Sequence, residues 1–110
     1  MNRFDMRDRL HGVSGVPITA YGTDGEIDPK VTATIYSRVA RAGIHNIVAA
    51  GNTGEFYALT TDEILKVYEA AIAGVEGVAP VTAAIGRSQR EAVAMARQAK
   101  SMGASAVMSH

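Results

Sequence analysis

Cysteine and tryptophan are absent from this 110-residue sequence, and aromatic residues make up only 5% of it. The lack of cysteine excludes disulfide bonds and thiolate metal sites, and it fits a reducing compartment. Lysine plus arginine equals aspartate plus glutamate at 11 each, so the formal net charge is zero. The sequence therefore lacks the basic surface expected of a nucleic-acid-binding protein.

Long hydrophobic runs are also missing. Residues 1–9 are polar with charges of both signs, which argues against a secretory signal. The most apolar stretch, residues 70–86, is interrupted by Glu76 and Pro80, whereas a membrane span needs about 20 mostly apolar residues. We therefore expect a cytoplasmic protein that has no membrane partner.

Four short apolar runs are present among residues that are 47% hydrophobic overall. These runs cover residues 15–20, 44–50, 80–85 and 104–108. They are nearly continuous rather than alternating, which predicts parallel strands covered on both faces.

Three helices are predicted between these runs, because each intervening segment has a helix-start signal. The signals are Asp28-Pro29, Thr60 with Glu63, and Ser88 with Glu91. In the first helix the apolar spacing predicts a core-facing stripe, ending before Gly43. That stripe consists of Val31, Ile35, Val39 and Ala42.

The predicted order β-α-β-α-β-α-β indicates a parallel α/β fold. It fits a small doubly wound sheet or part of a (β/α)8 barrel, which typically needs about 250 residues. No helix follows the fourth run to cover it. We therefore interpret residues 1–110 as a partial barrel with strands one to four, whose C-terminal half is absent from this chain.

A small polar turn, Gly-Asn-Thr-Gly-Glu, follows the second strand at residues 51–55. Loops after the strands form the binding face of either fold. Gly51 and Gly54 would permit backbone conformations and close approaches that a Cβ blocks. The side chains and amides of Asn52 and Thr53 would then bind a small anion, while the Glu55 carboxylate would accept backbone N–H bonds and support the loop. By itself, the pattern is a weak signal, and a tight βα turn without a ligand explains it better.

The stretch "AAGNTGEFYALTTDE" resembles the G-[TS]-T-G-E segment of the dihydrodipicolinate synthase / N-acetylneuraminate lyase family. Three other stretches resemble further parts of that family in order: "GVPITAYGTDGEID", "PVTAAIG" and "QAKSMGASAVM". Members are class I aldolase-type TIM barrels. The resemblance covers roughly residues 12–109, and it implies the N-terminal portion of such a barrel, with about four strands and three helices.

The resemblance implies a lyase or dehydratase that forms a Schiff base between a lysine and a 2-oxo acid such as pyruvate. It implies no cofactor, and a homodimer or homotetramer for the full-length protein. Thr53, with Gly51 and Gly54, corresponds to the carboxylate-binding residues. Asn52 stands where a threonine or serine relays protons in the synthases. An amide cannot pass a proton as a hydroxyl does, which favours relatives that act on 2-keto-3-deoxy sugar acids.

The family's Schiff-base lysine lies on strand six and its tyrosine partner on strand five, so the isolated chain is predicted to be inactive. All three lysines of this chain are expected on solvated helix faces: Lys30, Lys66 and Lys100. His45 is expected to be structural or exposed, and His110 either lines the pocket or is frayed. Tyr57 is expected to pack on the barrel or on a partner subunit. No His/Asp/Glu cluster has metal-ligand spacing. A non-catalytic α/β module that binds a small anion is the alternative function.

Overall fold

The computed structural model describes residues 4–110. They form four helices and four strands: α1 (Met6–Arg9), β1 (Ser14–Gly15), α2 (Pro29–Arg41), β2 (Asn46–Ala49), α3 (Thr61–Val75), β3 (Val81–Ile85), α4 (Gln89–Met102) and β4 (Ala106–Ser109). A 3-10 helix, Phe56–Ala58, follows β2. The predicted α/β order is confirmed, and the four-residue α1 is added to the three predicted helices. Over residues 4–110 no helix is long and apolar enough to cross a membrane.

The strands form one parallel sheet in the order β1-β2-β3-β4. Every residue of β2 and β3 is buried, which explains why their sequences are apolar without alternation. In β4, by contrast, Val107 is 48% exposed and Met108 is 41% exposed. The hydrophobic core therefore lies around β2 and β3, against α2, α3 and α4.

The first strand is shorter than predicted, because only Ser14 and Gly15 pair with β2. Pro17 follows, and its missing N–H cannot donate to a ladder. Side chains instead hold the rest of the predicted strand. The Thr19 hydroxyl donates to the carbonyl of Gly54 at 2.7 Å, and the Ala20 N–H donates to the Thr32 hydroxyl at 3.2 Å. These bonds place residues 16–20 beside the turn that follows β2.

The predicted helix starts are confirmed. Asp28 caps α2 with Pro29 in the first turn, and Thr60 and Glu63 form a complete capping box at α3. Ser88 caps α4 by accepting from the Glu91 N–H at 3.1 Å. These side chains bond N–H groups that the helix itself leaves unpaired.

The predicted core face of α2 is confirmed in part, because Val39 packs against the core, but the fully buried residues lie one position further along the helix. Val31 is 48% exposed, and the buried residues are Thr32, Tyr36 and Ala40. Hydrogen bonds, rather than apolar packing, determine which face of α2 is buried. The hydroxyls of Thr32 and Tyr36 accept backbone N–H bonds from loops at the sheet edge, so they must point inward.

Helices α2 and α3 pack in close contact at Gly74. A Cβ built on Gly74 would lie 2.1 Å from the carbonyl oxygen of Ala33, a distance that requires one backbone to move. Arg41 also bridges the two helices, since its guanidinium donates to the Gly74 carbonyl at 3.2 Å and to Glu76 at 2.9 Å.

Gly74→Ala is expected to destabilise the fold by about 1–3 kcal/mol, the usual cost of overpacking. The direction of the stability change is informative, because alanine is otherwise favoured over glycine in a helix by about 1 kcal/mol. Urea unfolding measures the change. Ala73→Ser, at the exposed neighbouring position, serves as the control and should shift stability by about 0.5 kcal/mol or less. A stabilised Gly74→Ala variant would contradict the close helix contact.

Candidate active site

The loops that follow β2 and β3 meet His110, which directly follows β4, at one edge of the sheet. The N–H of His110, directly after β4, donates to the carbonyl of Ile85 at 2.8 Å. The His110 ring stacks on Phe56 with centroids 4.9 Å apart, and a Cβ on Gly86 would lie 3.3 Å from the Phe56 ring. His110 thus contacts this edge through its backbone and its ring, although it remains exposed.

The turn at residues 51–55 is closed by two backbone hydrogen bonds. The Glu55 N–H donates to the Asn52 carbonyl at 2.9 Å, and the Phe56 N–H donates to the Gly51 carbonyl at 3.2 Å. A Cβ on Gly51 would lie 2.7 Å from Cγ1 of Val16, and one on Gly54 would lie 3.2 Å from the carbonyl oxygen of Pro17. Both glycines are therefore needed for the close approach of residues 16–20.

The left-handed backbone conformations of this turn lie at its ends and not at the two glycines. Ala50 has φ 57° and Glu55 has φ 70°. Such a conformation costs a non-glycine residue about 1 kcal/mol or more. It is held at Ala50 because the buried hydroxyl of Tyr36 accepts the Ala50 N–H at 3.2 Å.

Asn52 and Thr53 are exposed at the tip of the turn. Within residues 4–110, neither their backbone N–H groups nor their side chains bond another protein group. Two consecutive amides, a hydroxyl and a carboxamide therefore stand at the sheet edge with their hydrogen-bonding capacity unused. Such a group of donors suits a small anion.

The Glu55 carboxylate does not cap the 3-10 helix that it precedes, and its role in supporting the loop stays a prediction. It lies beside Tyr21 instead. Burial, followed by the charge of Glu55 and a hydrogen bond with it, raises the pKa of Tyr21. Sequence reasoning missed Tyr21.

Arg87 is the second residue that sequence reasoning missed. Its guanidinium donates to the Thr61 hydroxyl at 3.0 Å, to the Phe56 carbonyl at 3.4 Å and to the Leu59 carbonyl. The same group lies 5.5 Å from the centroid of the Phe56 ring. The loop after β3 is thereby tied to the segment that follows the turn.

The remaining candidates lie away from the turn or are structural. Lys30, Lys66 and Lys100 are exposed on α2, α3 and α4, as predicted. His45 is exposed, and its Nδ1 accepts the Val13 N–H at 2.9 Å. Tyr57 is 70% exposed and contacts Phe56 and His110 edge-on. In the described part of the chain no three His, Asp or Glu residues are grouped to hold a metal ion.

A parallel α/β sheet with an open polar turn at its C-terminal edge is the arrangement with which both barrels and doubly wound sheets bind ligands. The sequence model of the Dihydrodipicolinate synthetase family matches residues 9–109. The chain belongs to that family, as its resemblance predicted, and its fold matches the N-terminal part of the family's TIM barrels.

Individual relatives agree with this assignment. An uncharacterized DapA-like lyase of Halobacterium salinarum is 39% identical over 90% of this chain and 33% of its own length. A probable 5-dehydro-4-deoxyglucarate dehydratase of Streptomyces coelicolor is 39% identical over 84% of this chain and 29% of its own. The crystal structure of dihydrodipicolinate synthase from Bacillus clausii superposes with a TM-score of 0.86 at 38% identity, covering 96% of this chain and 36% of that one. The chain thus spans about a third of the length of the relatives it matches.

Tyr36→Phe tests how the turn is held. The substitution removes the hydroxyl that accepts the Ala50 N–H, and a buried donor without an acceptor costs about 1–3 kcal/mol. We expect a loss of that size in chemical unfolding. Tyr57→Phe, which removes an exposed hydroxyl, is the matched control and should change stability by about 0.5 kcal/mol or less. Equal effects in the two variants would contradict the role of Tyr36.

Stability should also fall at alkaline pH. Burial raises the pKa of both Tyr36 and Tyr68 to about 12, although the Ala50 N–H and the Arg87 charge, respectively, lower it in part. Unfolded tyrosine ionises near pH 10. Above about pH 10 the unfolded state therefore binds fewer protons, and the free energy of unfolding decreases until about pH 12. Tyr68→Phe should flatten this decrease in urea titrations relative to the parent protein.

Proposed function

We propose that this chain supplies the carboxylate-binding part of a Schiff-base lyase that acts on a 2-oxo acid. The observation that carries the proposal is the pair of unpaired N–H groups at Asn52 and Thr53, on a turn at the C-terminal edge of the sheet. Family membership supports it, because the turn coincides with the family's G-[TS]-T-G-E segment.

In this proposal the Thr53 hydroxyl and the two amides donate hydrogen bonds to the substrate carboxylate. Donors to a charged acceptor bind more strongly than neutral pairs. The tight packing of Gly51 and Gly54 against residues 16–20 holds these donors in place before the substrate arrives. No free energy is then needed to reorganise them on binding. The carbonyl carbon next to the carboxylate is then held in a constant position for attack by an amine.

The attacking amine would come from a lysine beyond residue 110, because Lys30, Lys66 and Lys100 are exposed on helices. Its nitrogen adds to the carbonyl carbon, water leaves, and an iminium ion forms. When the bond between the α- and β-carbons breaks, the iminium group accepts its electron pair and becomes an enamine. Residues 1–110 would then be strands one to four of an eight-stranded barrel. By the same resemblance, the full-length protein is expected to be a cytoplasmic homodimer or homotetramer.

Dehydration of a 2-keto-3-deoxy sugar acid is the second candidate reaction. Asn52 favours it, because a carboxamide does not relay protons as the synthase hydroxyl does. Relatives named as probable 5-dehydro-4-deoxyglucarate dehydratases from several bacteria also support it.

Thr53→Val should weaken the use of pyruvate by the full-length protein. Loss of one hydrogen bond to a charged group costs about 1.5–3 kcal/mol. The pyruvate concentration needed for half-maximal borohydride trapping should therefore rise by about tenfold or more. Thr34→Val, on an exposed face of α2, provides the isosteric control. Absence of any covalent adduct with pyruvate or a 2-keto-3-deoxy sugar acid would refute the Schiff-base proposal. Binding without an adduct would favour the non-catalytic module.

A further inference from the structure

Arg87 occupies an unusual place between β3 and α4. Its backbone is left-handed with φ 71°, a conformation that costs a residue with a side chain about 1 kcal/mol or more. The cap of α4 does not require an arginine there, because Ser88 bonds the Glu91 N–H itself. The strained backbone therefore needs another explanation.

The explanation lies in what the guanidinium contacts. Its acceptors are the carbonyls of Phe56 and Leu59 and the hydroxyl of Thr61. These residues span the 3-10 helix and the first turn of α3. One planar fork of donors thus binds both ends of the segment that links the turn to α3. A lysine ammonium cannot reproduce that geometry.

Phe56 connects the Arg87 guanidinium to the turn at residues 51–55. Its side chain is fully buried, its ring lies under the Arg87 guanidinium at 5.5 Å, and its N–H bonds the Gly51 carbonyl at 3.2 Å. The ring also stacks on His110, with centroids 4.9 Å apart. A shift of Phe56 would therefore open one of the two hydrogen bonds that close residues 51–55.

We propose that Arg87 is a positioning residue that fixes the 3-10 helix and, through Phe56, keeps the Gly51–Phe56 hydrogen bond closed. We call the contacts of Arg87 with residues 56–61 the clamp, and the inference that it holds the turn depends on these contacts alone. Its purpose, to present Asn52 and Thr53 to a carboxylate, rests on the proposed function.

Amide hydrogen exchange of Arg87→Gly tests the clamp in this protein. Glycine adopts the left-handed backbone freely, so the variant removes the guanidinium while relieving the strain. We expect the Glu55 and Phe56 amides to exchange about tenfold faster or more, because their bonds open locally. The amides of β3 should be unaffected. Arg87→Lys should resemble Arg87→Gly, and Arg90→Ala, an exposed residue in α4, should resemble the parent.

Equal exchange of Glu55 and Phe56 in Arg87→Gly and the parent, including an absence of protection in both, would overturn the clamp. So would acceleration spread evenly over β3, which indicates global destabilisation.

A pyruvate titration, followed by the amide chemical shifts of Asn52 and Thr53, tests the purpose separately. We expect affinity about tenfold weaker in Arg87→Gly. Unchanged affinity with faster exchange would overturn the link to the substrate. An absence of pyruvate shifts in the parent would count against the proposed function and leave the clamp to be decided by the exchange result.

Discussion

Parallel pairing of β2 with β3 directs the loops that follow these strands to one edge of the sheet. Because both strands are buried along their whole length, the chain can leave the core only at its ends, and polar groups collect there. The turn after β2 and the loop after β3 must then share a small space. Phe56 and Arg87 occupy it together. The geometry of the candidate site follows from this pairing.

Hydroxyl groups inside the structure hold that edge in place. Thr19, Thr32 and Tyr36 are each buried to within a few per cent, and each bonds a backbone group of a loop. A buried hydroxyl is tolerated when it is hydrogen-bonded and costs free energy when it is not. These residues therefore connect the stability of the fold to the shape of the turn.

A second set of polar groups joins the strands inside the sheet. The fully buried Asn46 donates to the Ser14 hydroxyl at 3.2 Å and accepts from the Thr82 hydroxyl at 2.8 Å. These two hydrogen bonds link β1, β2 and β3 across the sheet. In the sequence, Asn46 only interrupts an apolar run. Its role depends on Ser14 and Thr82, which lie 32 and 36 positions away.

The sequence by itself determined the parallel α/β order, the helix starts and the location of the polar turn. These features depend on near neighbours: capping pairs three residues apart, apolar runs, and a glycine-bounded segment after a strand. It did not determine the fully buried positions of α2, or the contacts that Glu55, Tyr21 and Arg87 make. Each of these depends on a partner distant in the chain. Arg87, for instance, meets Leu59 only because β2 and β3 pair in parallel, and only the tertiary structure brings the two together.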